Sequence, residues 1–481
     1  MKRNLLFITT DQQRQDSLPC YGMSFMKTPN LDRLASEGMV FDRCYVPAPL
    51  CVPCRASIMS GYYPSAVGTM GNETWLDPDV PTWAGLISEG GYRTAGIGKM
   101  HFAPWDILNG FDERITCEDK RHSYIPDDHA RFLERHGLEK PHPADYPRYY
   151  ETNGAPLYPY AKSFHPDAYI ADQAAEWLDR NGDAPFAVWV SFVGPHDPYD
   201  PPAELADMYK DAPIPEPIPV PDRLEDKAAI KLQRAAKLAM TNSMFRIDVS
   251  QTTPEQFRTW RAHYYANISL IDEGIGKILD ALERKGILEQ TTIVFTSDHG
   301  DALGDHGMVW KGFFYDSMVK VPLIVRGPGV PAGSRCETLV STLDLIPYFY
   351  ETCEVKAPSD LQGRSIGPLL EGSGAPRPAY VFSEVDQQYM VMDGRYKYSL
   401  YASGGKELYD LQEDPRELTN LAGDERYKDT IAALHEALIR HMMESNSIHS
   451  KFTRKTACAE RDEIEANYRR ELLAKANPAA I

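Results

Sequence analysis

The sequence has no apolar run approaching the roughly 18 to 20 residues that a membrane span requires, so a transmembrane chain is not expected. Its opening, MKRNLLFITTDQQ, reaches an acid directly after Thr10, and no small-residue cleavage site follows, so it reads as a first strand rather than a secretory leader. A cytoplasmic location is the expectation; a periplasmic or secreted chain whose leader had already been removed would look the same. Cysteine is sparse, with eight in 481 residues, too thinly spread for a disulfide scaffold. Basic blocks are missing as well. With 51 Lys and Arg against 69 Asp and Glu, the net charge of −18 repels phosphate backbones. Neither nucleic acid nor a membrane is therefore an expected partner, and an anionic substrate would need a local concentration of cations. Low-complexity tracts are absent too, and 43% hydrophobic with 25% charged residues describes a soluble globular protein. The length suits two or three domains, or one large α/β domain with an appendage.

What is present is an alternation of strands and helices. Leu5 to Thr9 reads as a strand buried on both faces, ending at Asp11 and Gln12. TPNLDRLASEG predicts a helix with Thr28 as N-cap, Pro29 in the first turn and Gly38 as the stop. MVFDRCYV predicts one strand, and a helix begins near Cys51 and ends by Gly61. Further helices are expected around Trp83 to Glu89, Ala168 to Arg180 and Pro254 to Lys285, with strands at Arg93 to Ile97, FAVWVSFV and TTIVFTSDHG. The pattern predicts a large, mainly parallel sheet flanked by helices, whose ligands bind beyond the strands' carboxyl ends. Residues 103–165 and the Pro-rich DAPIPEPIPVPDR interrupt the rhythm and read as lids or substrate loops, with disorder as the alternative. Past residue 375, the short pieces YVFSEV, QYMVMDG, RYKYSLY and ELYDL predict a small antiparallel sheet, followed by a helical tail. Domains of 1–374 (catalytic) and 375–481 (sheet plus tail) are expected. The tail is either surface packing or the contact of a homo-oligomer.

CVPCR at residues 51–55 invites a dithiol or zinc reading. A thioredoxin-like unit or a second Cys-x2-Cys would have to accompany it, and the other cysteines have no ligand spacing. The polar residues at the strand ends suggest something else. Asp11 with Gln12 and Asp298 with His299 make a mixed oxygen and nitrogen set for one divalent ion if a parallel sheet brings them to one edge. Arg55, Lys99, His101, His196 and Lys311 supply the cations and proton carriers that a tetrahedral anion needs. Singly, each has an ordinary structural explanation, such as a hydrogen-bonded His or a solvated Lys.

Cys51-Val52-Pro53-Cys54-Arg55 through Ser60-Gly61 resembles the sulfatase signature Cys-x-Pro-x-Arg followed by Ser/Thr-Gly; GYRTAGIGKMH resembles its second signature, and SDHGDALGDHG with Lys311 its third block. The resemblance runs from NLLFITTDQ to ELYDLQEDPRELTNLAG. It implies a formylglycine-dependent sulfatase of the alkaline phosphatase superfamily. Cys51 is then oxidised by a formylglycine-generating enzyme that reads Cys, Pro and Arg, and joins Asp11, Gln12, Asp298 and His299 at the metal. Cys54 departs from the Ser or Ala usual at its position, and a disulfide with Cys51 before modification is conceivable. The family mechanism has one hydroxyl of hydrated formylglycine attack sulfur and the other expel sulfate as the aldehyde re-forms. Lys99 and His101 would serve the nucleophile, His196 and Lys311 the sulfate and its leaving oxygen, and Asn72 would bind the anion unless it is an ordinary turn residue.

Asp11-Gln12 and Asp298-His299 resemble choline-sulfatase-like enzymes and phosphonate monoester hydrolases, which leaves the ion between Ca2+ and Mn2+. The intact Lys99-Met100-His101 favours sulfate monoesters, of a small-molecule or saccharide alcohol, over phosphonate monoesters or phosphodiesters. A third reading is a silent binding protein in which Cys51 stays a thiol; the full set of polar groups argues against it.

Overall fold

The structure, a computed structural model, describes residues 2–142, 146–221, 224–240, 252–373 and 379–476. Its centre is a sheet of eight strands. From edge to edge they are Glu113–Thr116 (β5), Arg93–Gly98 (β4), Phe186–Pro195 (β6), Asn4–Asp11 (β1), Thr291–Ser297 (β7), Leu323–Arg326 (β8), Met39–Phe41 (β2) and Ser334–Cys336 (β9). Pairing is parallel except where β8 meets β7 and β2. The long central strands carry continuous apolar runs because both faces are covered. Leu5, Phe7, Trp189 and Val294 enter one hydrophobic cluster, while Leu6, Ile8, Val188, Val190, Ile293 and Phe295 enter the other.

The predicted helices form at Pro29–Glu37, Cys51–Ser60, Trp83–Glu89, Pro166–Asn181 and Pro254–Arg284. The last has a full capping box: Thr253 accepts from the Gln256 N–H and the Gln256 side chain accepts from the Thr253 N–H. Two local expectations differ. Thr28 makes no side-chain cap bond; the first turn instead donates to a distant carboxylate, Asp272, from the N–H groups of Asn30 (3.2 Å) and Leu31 (2.8 Å). The stretch from Met39 to Val46 is two strands, because Cys44–Tyr45 (β3) leaves the large sheet to pair with Val340–Ser341 (β10).

The smaller antiparallel sheet consists of Val381–Val385 (β11), Gln388–Met392 (β12), Tyr396–Tyr401 (β13) and Lys406–Asp410 (β14). One face packs on the first part of the helix Lys428–Ala476, through Val391, Tyr398 and Leu408 against Leu434, Ala437 and Leu438. Its other face shares the large sheet's cluster through Met390, Met392 and Tyr409. The expected boundary at 374/375 lies outside the described residues. Within residues 103–165, the chain builds β5, the helix Asp128–Arg135 and a cluster of Tyr146, Tyr149 and Tyr158. Among the described residues no helix is long and apolar enough to cross a membrane.

Candidate active site

Register brings the site together. Thr9 of β1 lies beside Ser191 of β6, Thr10 beside Ser297 of β7, and Ser191 beside Gly98 of β4. Asp11 at the end of β1, Asp298 just after β7 and Lys99 just after β4 are thereby brought to one level, beside Ser191 within β6. Gly98 permits this convergence. Its φ is +98°, and a Cβ there would stand 2.0 Å from the Ser191 carbonyl oxygen. Gln12 (φ 71°) and His101 (φ 57°) hold the left-handed conformation without being glycine, backbone strain of the kind that collects at functional sites.

Asp11, Cys51, Asp298 and His299 each offer a ligand atom, and these atoms lie within 4.8 Å of one another, all buried. Cys51 is the first residue of its helix, where unpaired N–H groups and the helix dipole favour negative charge. Its Sγ is 3.2 Å from His299 Nε2 and 3.8 Å from Asp11 Oδ1. His299 Nδ1 donates to the Gly300 carbonyl at 2.9 Å, which leaves the Nε2 lone pair turned to the cluster. Burial, abetted by Lys311, lowers the pKa of this imidazole despite Asp298 and Asp11, so it is neutral and able to ligate.

Arg55 orients both carboxylates. Nε donates to Asp298 Oδ2 at 2.9 Å and Nη2 to Asp11 Oδ2 at 3.1 Å, while Nη1 donates to the Lys99 carbonyl (2.5 Å) and Ser191 Oγ (2.8 Å). Each acid thereby keeps its other oxygen for the cluster: Asp298 Oδ1 is 3.6 Å and Asp11 Oδ1 3.9 Å from His299 Nε2. Burial opposes charge on Asp11, but Lys99, Lys311 and Arg55 together hold its carboxyl well below the usual range. Lys99 Nζ lies 2.7 Å from Asp11 Oδ2. Gln12 is adjacent: its backbone N–H donates to Asp298 Oδ1 (3.0 Å), its side-chain amide nitrogen to Asp301, and its side-chain amide oxygen Oε1 accepts from Lys311 Nζ at 2.5 Å.

Among the described residues, both ring nitrogens of His101, and Nε2 of His196, are buried with no hydrogen-bond partner. His196 Nδ1 donates to the Asp197 carbonyl at 2.7 Å. Burial, then Lys311, Arg121 and Lys99, hold its pKa well below the usual value. Asn72 is exposed and accepts from the Val52 N–H at 3.2 Å, which caps the Cys51–Ser60 helix. Cys51 and Cys54 are both free thiols, and Cys54 belongs to a hydrophobic cluster while Cys51 faces the acids.

A family model described as Sulfatase matches residues 3–354. The chain belongs to the sulfatase family. It is a sulfuric ester hydrolase, and a second model, "N-sulphoglucosamine sulphohydrolase, C-terminal", matches residues 304–444 of this sulfatase. An arylsulfatase from Clostridium perfringens is 31% identical, over 92% of this chain and 95% of that one. A choline-sulfatase from Rhizobium meliloti is 32% identical over 88% and 83% respectively. Among solved structures, a phosphonate monoester hydrolase of Agrobacterium radiobacter superposes with a TM-score of 0.79 at 28% identity, covering 92% of this chain and 96% of that one.

Several residues that complete this sulfatase's site were not singled out from sequence. Asp119 and Arg121 come from the irregular stretch after β5, where no periodicity marked them; Ser191 lies inside a strand. Asp301, in SDHGD, accepts from Gln12, from Tyr199 Oη at 2.6 Å and from the Leu303 N–H at 2.9 Å, fixing the Gln12 amide. Its place in the third block was the available signal.

Proposed function

We propose that the chain hydrolyses sulfate monoesters to an alcohol and inorganic sulfate, using formylglycine derived from Cys51 and one divalent cation bound by Asp11, Gln12, Asp298 and His299. The buried convergence of Asp11, Cys51, Asp298 and His299 carries this reading. The donor set fits a cation: two carboxylates with inward oxygens, a neutral imidazole whose other nitrogen is already engaged, and an amide oxygen next to them. An imidazole among oxygens favours Mn2+ over Ca2+, which prefers oxygen alone.

When present, the cation supplies Lewis-acid charge and formylglycine supplies an oxygen nucleophile that a thiol lacks. The chain's own groups do the rest. Arg55 holds the two carboxylates in place. Lys99 and Lys311 bring positive charge to the anionic ester. His101, with its two unengaged nitrogens, is the group to take a proton on the nucleophile side. His196 accepts at Nε2 in its neutral form, so it must gain a proton before it can give one to the leaving oxygen. A bound anion beside it offsets Lys311, Arg121 and Lys99 and raises its pKa for that task. Asn72 would reach the anion only by giving up its cap.

Cys51 is wholly buried in the folded chain, so a formylglycine-generating enzyme must act on it before folding closes the site. The rings of His101, His122 and Tyr124 follow one another at centroid distances of 6.3 and 5.5 Å towards solvent, where Tyr124 is 74% exposed. Such a wall suits an aryl or saccharide alcohol. Hydrolysis of phosphonate monoesters at the same site is the second reading, favoured by the similarity to a phosphonate monoester hydrolase. We also propose that residues 1–374 carry catalysis and 375–481 form a C-terminal unit, supported by its own sheet and covering helix; the second family match, 304–444, straddles that division.

The test is kcat/KM for 4-nitrophenyl sulfate and phenyl phenylphosphonate, alongside the mass of the peptide containing position 51. Sulfate turnover with an aldehyde mass is expected; an unmodified thiol in an active enzyme refutes the nucleophile.

A further inference from the structure

Asp119 is buried and is not one of the four clustered ligand residues, though it shares Lys99 with Asp11. Its Oδ2 is 2.9 Å from Lys99 Nζ, 2.9 Å from Arg121 Nη2 and 3.6 Å from His101 Nε2. Its Oδ1 accepts from the Arg121 N–H at 2.9 Å and from Nε at 3.0 Å. Burial opposes its charge, but Arg121 and Lys99 keep it an anion, with a pKa well below the usual carboxyl value.

The charges around the site balance closely. Arg55, Lys99, Arg121 and Lys311 are cations; Asp11, Asp298, Asp119 and Asp197, the last 3.8 Å from Arg121 Nη1, are acids. Glu118 is paired with Arg114 at 3.2 Å, Asp301 is turned to Gln12 and Tyr199, and burial keeps His196 and His299 neutral. On the side of Lys99 and His101, Asp119 is the acid that touches both Lys99 and Arg121, and it offsets one positive charge there beside Asp11 and Asp197.

We infer that Asp119 is a specificity-determining residue: it fixes Lys99 and Arg121 beside the ester and offsets one unit of their charge, matching the site to singly charged ester groups and against doubly charged ones. This rests on the reading above, in which Lys99 and His101 face the ester. A sulfate monoester carries one negative charge at neutral pH. A phosphate monoester carries nearly two above its second pKa of about 6, and the inorganic sulfate left by hydrolysis is also a dianion. The same carboxylate thus disfavours phosphate monoesters and speeds release of the product.

The experiment measures kcat/KM for 4-nitrophenyl sulfate and 4-nitrophenyl phosphate, and inhibition by inorganic sulfate, in the wild-type holoenzyme and in Asp119→Asn and Asp119→Glu. Asp119→Asn is expected to raise the phosphate-to-sulfate ratio at least about tenfold and to tighten sulfate inhibition, while Asp119→Glu keeps the wild-type ratio. A parallel loss on both substrates with the ratio unchanged overturns the inference. If Asp119→Asn does not fold, Arg121→Gln serves: removal of a cation should move the ratio the opposite way, and an unmoved ratio overturns the inference equally. Cys51→Ala is run beside them. Sulfate turnover surviving in that variant refutes the functional reading itself, whereas an inactive Cys51→Ala with unmoved ratios elsewhere refutes only the role of Asp119.

Discussion

Arg55 Nε and Asp298 Oδ2, from residues 243 positions apart, meet at 2.9 Å where side-chain exposure is 1% and 0%. The guanidinium also reaches Asp11, so one side chain sets the distance between the acids of two strands. Burial opposes its charge, and Asp298 and Asp11 outweigh that and raise its pKa. Arg55→Lys keeps the charge but cannot span both acids along with the Lys99 carbonyl and Ser191. A loss of about 3 to 5 kcal/mol in denaturant-measured stability is expected; a change below about 0.5 kcal/mol would show that the fork is dispensable.

Asp298→Asn removes one of the two charges proposed to balance the cation. Metal affinity should fall by about a hundredfold or more, with activity falling in step. Metal content by mass spectrometry, read against far-UV circular dichroism, checks this, and full metal retention contradicts the ligand set.

Cys51→Ala removes the proposed nucleophile precursor from a site whose neighbours hold each other in place through Arg55. Turnover should drop at least about a thousandfold, while the unfolding midpoint shifts little. Turnover near wild type would place the nucleophile elsewhere.

Gly98→Ala tests how the strand ends converge. With φ at +98° and the Ser191 carbonyl 2.0 Å from the new Cβ, the end of β4 must move and take Lys99 with it. Stability should fall by about 2 to 4 kcal/mol, and kcat with it. Unchanged thermal unfolding would contradict this close approach.

Stability should decline on mild acidification. Burial lowers the pKa of His129 to about 3 and of His306 to about 4, against about 6.5 in the unfolded chain. Between those values the unfolded state binds more protons, so stability is full above about pH 6.5 and falls as pH drops. Each residue contributes a loss of about 2 kcal/mol between pH 6.5 and 5. His129 donates from Nε2 to the Phe164 carbonyl at 2.9 Å, a bond that a glutamine amide can also make. His129→Gln should therefore flatten the pH dependence of the unfolding midpoint, and an unaltered slope would exclude His129 as a source.

Much of the fold was readable because a strand covered on both faces needs an unbroken apolar run and then stops at polar residues. NLLFITTD, FAVWVSFV and TTIVFTS show this directly. Helix limits followed from Pro in the first turn and from the glycines that stop the helices, both local signals. Thr28 marks where local chemistry is insufficient: the groups it would cap are served by Asp272, from a helix more than two hundred residues later. Asp119 and Arg121 were hidden for a similar reason, since they lie in an irregular segment with no period to break.

The sequence by itself determined which residues could do chemistry here: Cys51, Pro53 and Arg55 in one turn of helix, and the acids, amide and histidines that end the strands. Only the tertiary structure decided that Cys51 faces Asp11 and His299 while Cys54, on the same helix, enters an apolar cluster. It also decided that Asp119 shares Lys99 with Asp11. Such choices depend on which strands become neighbours and in what register, and those pairings are settled by packing and hydrogen bonding between segments far apart along the chain.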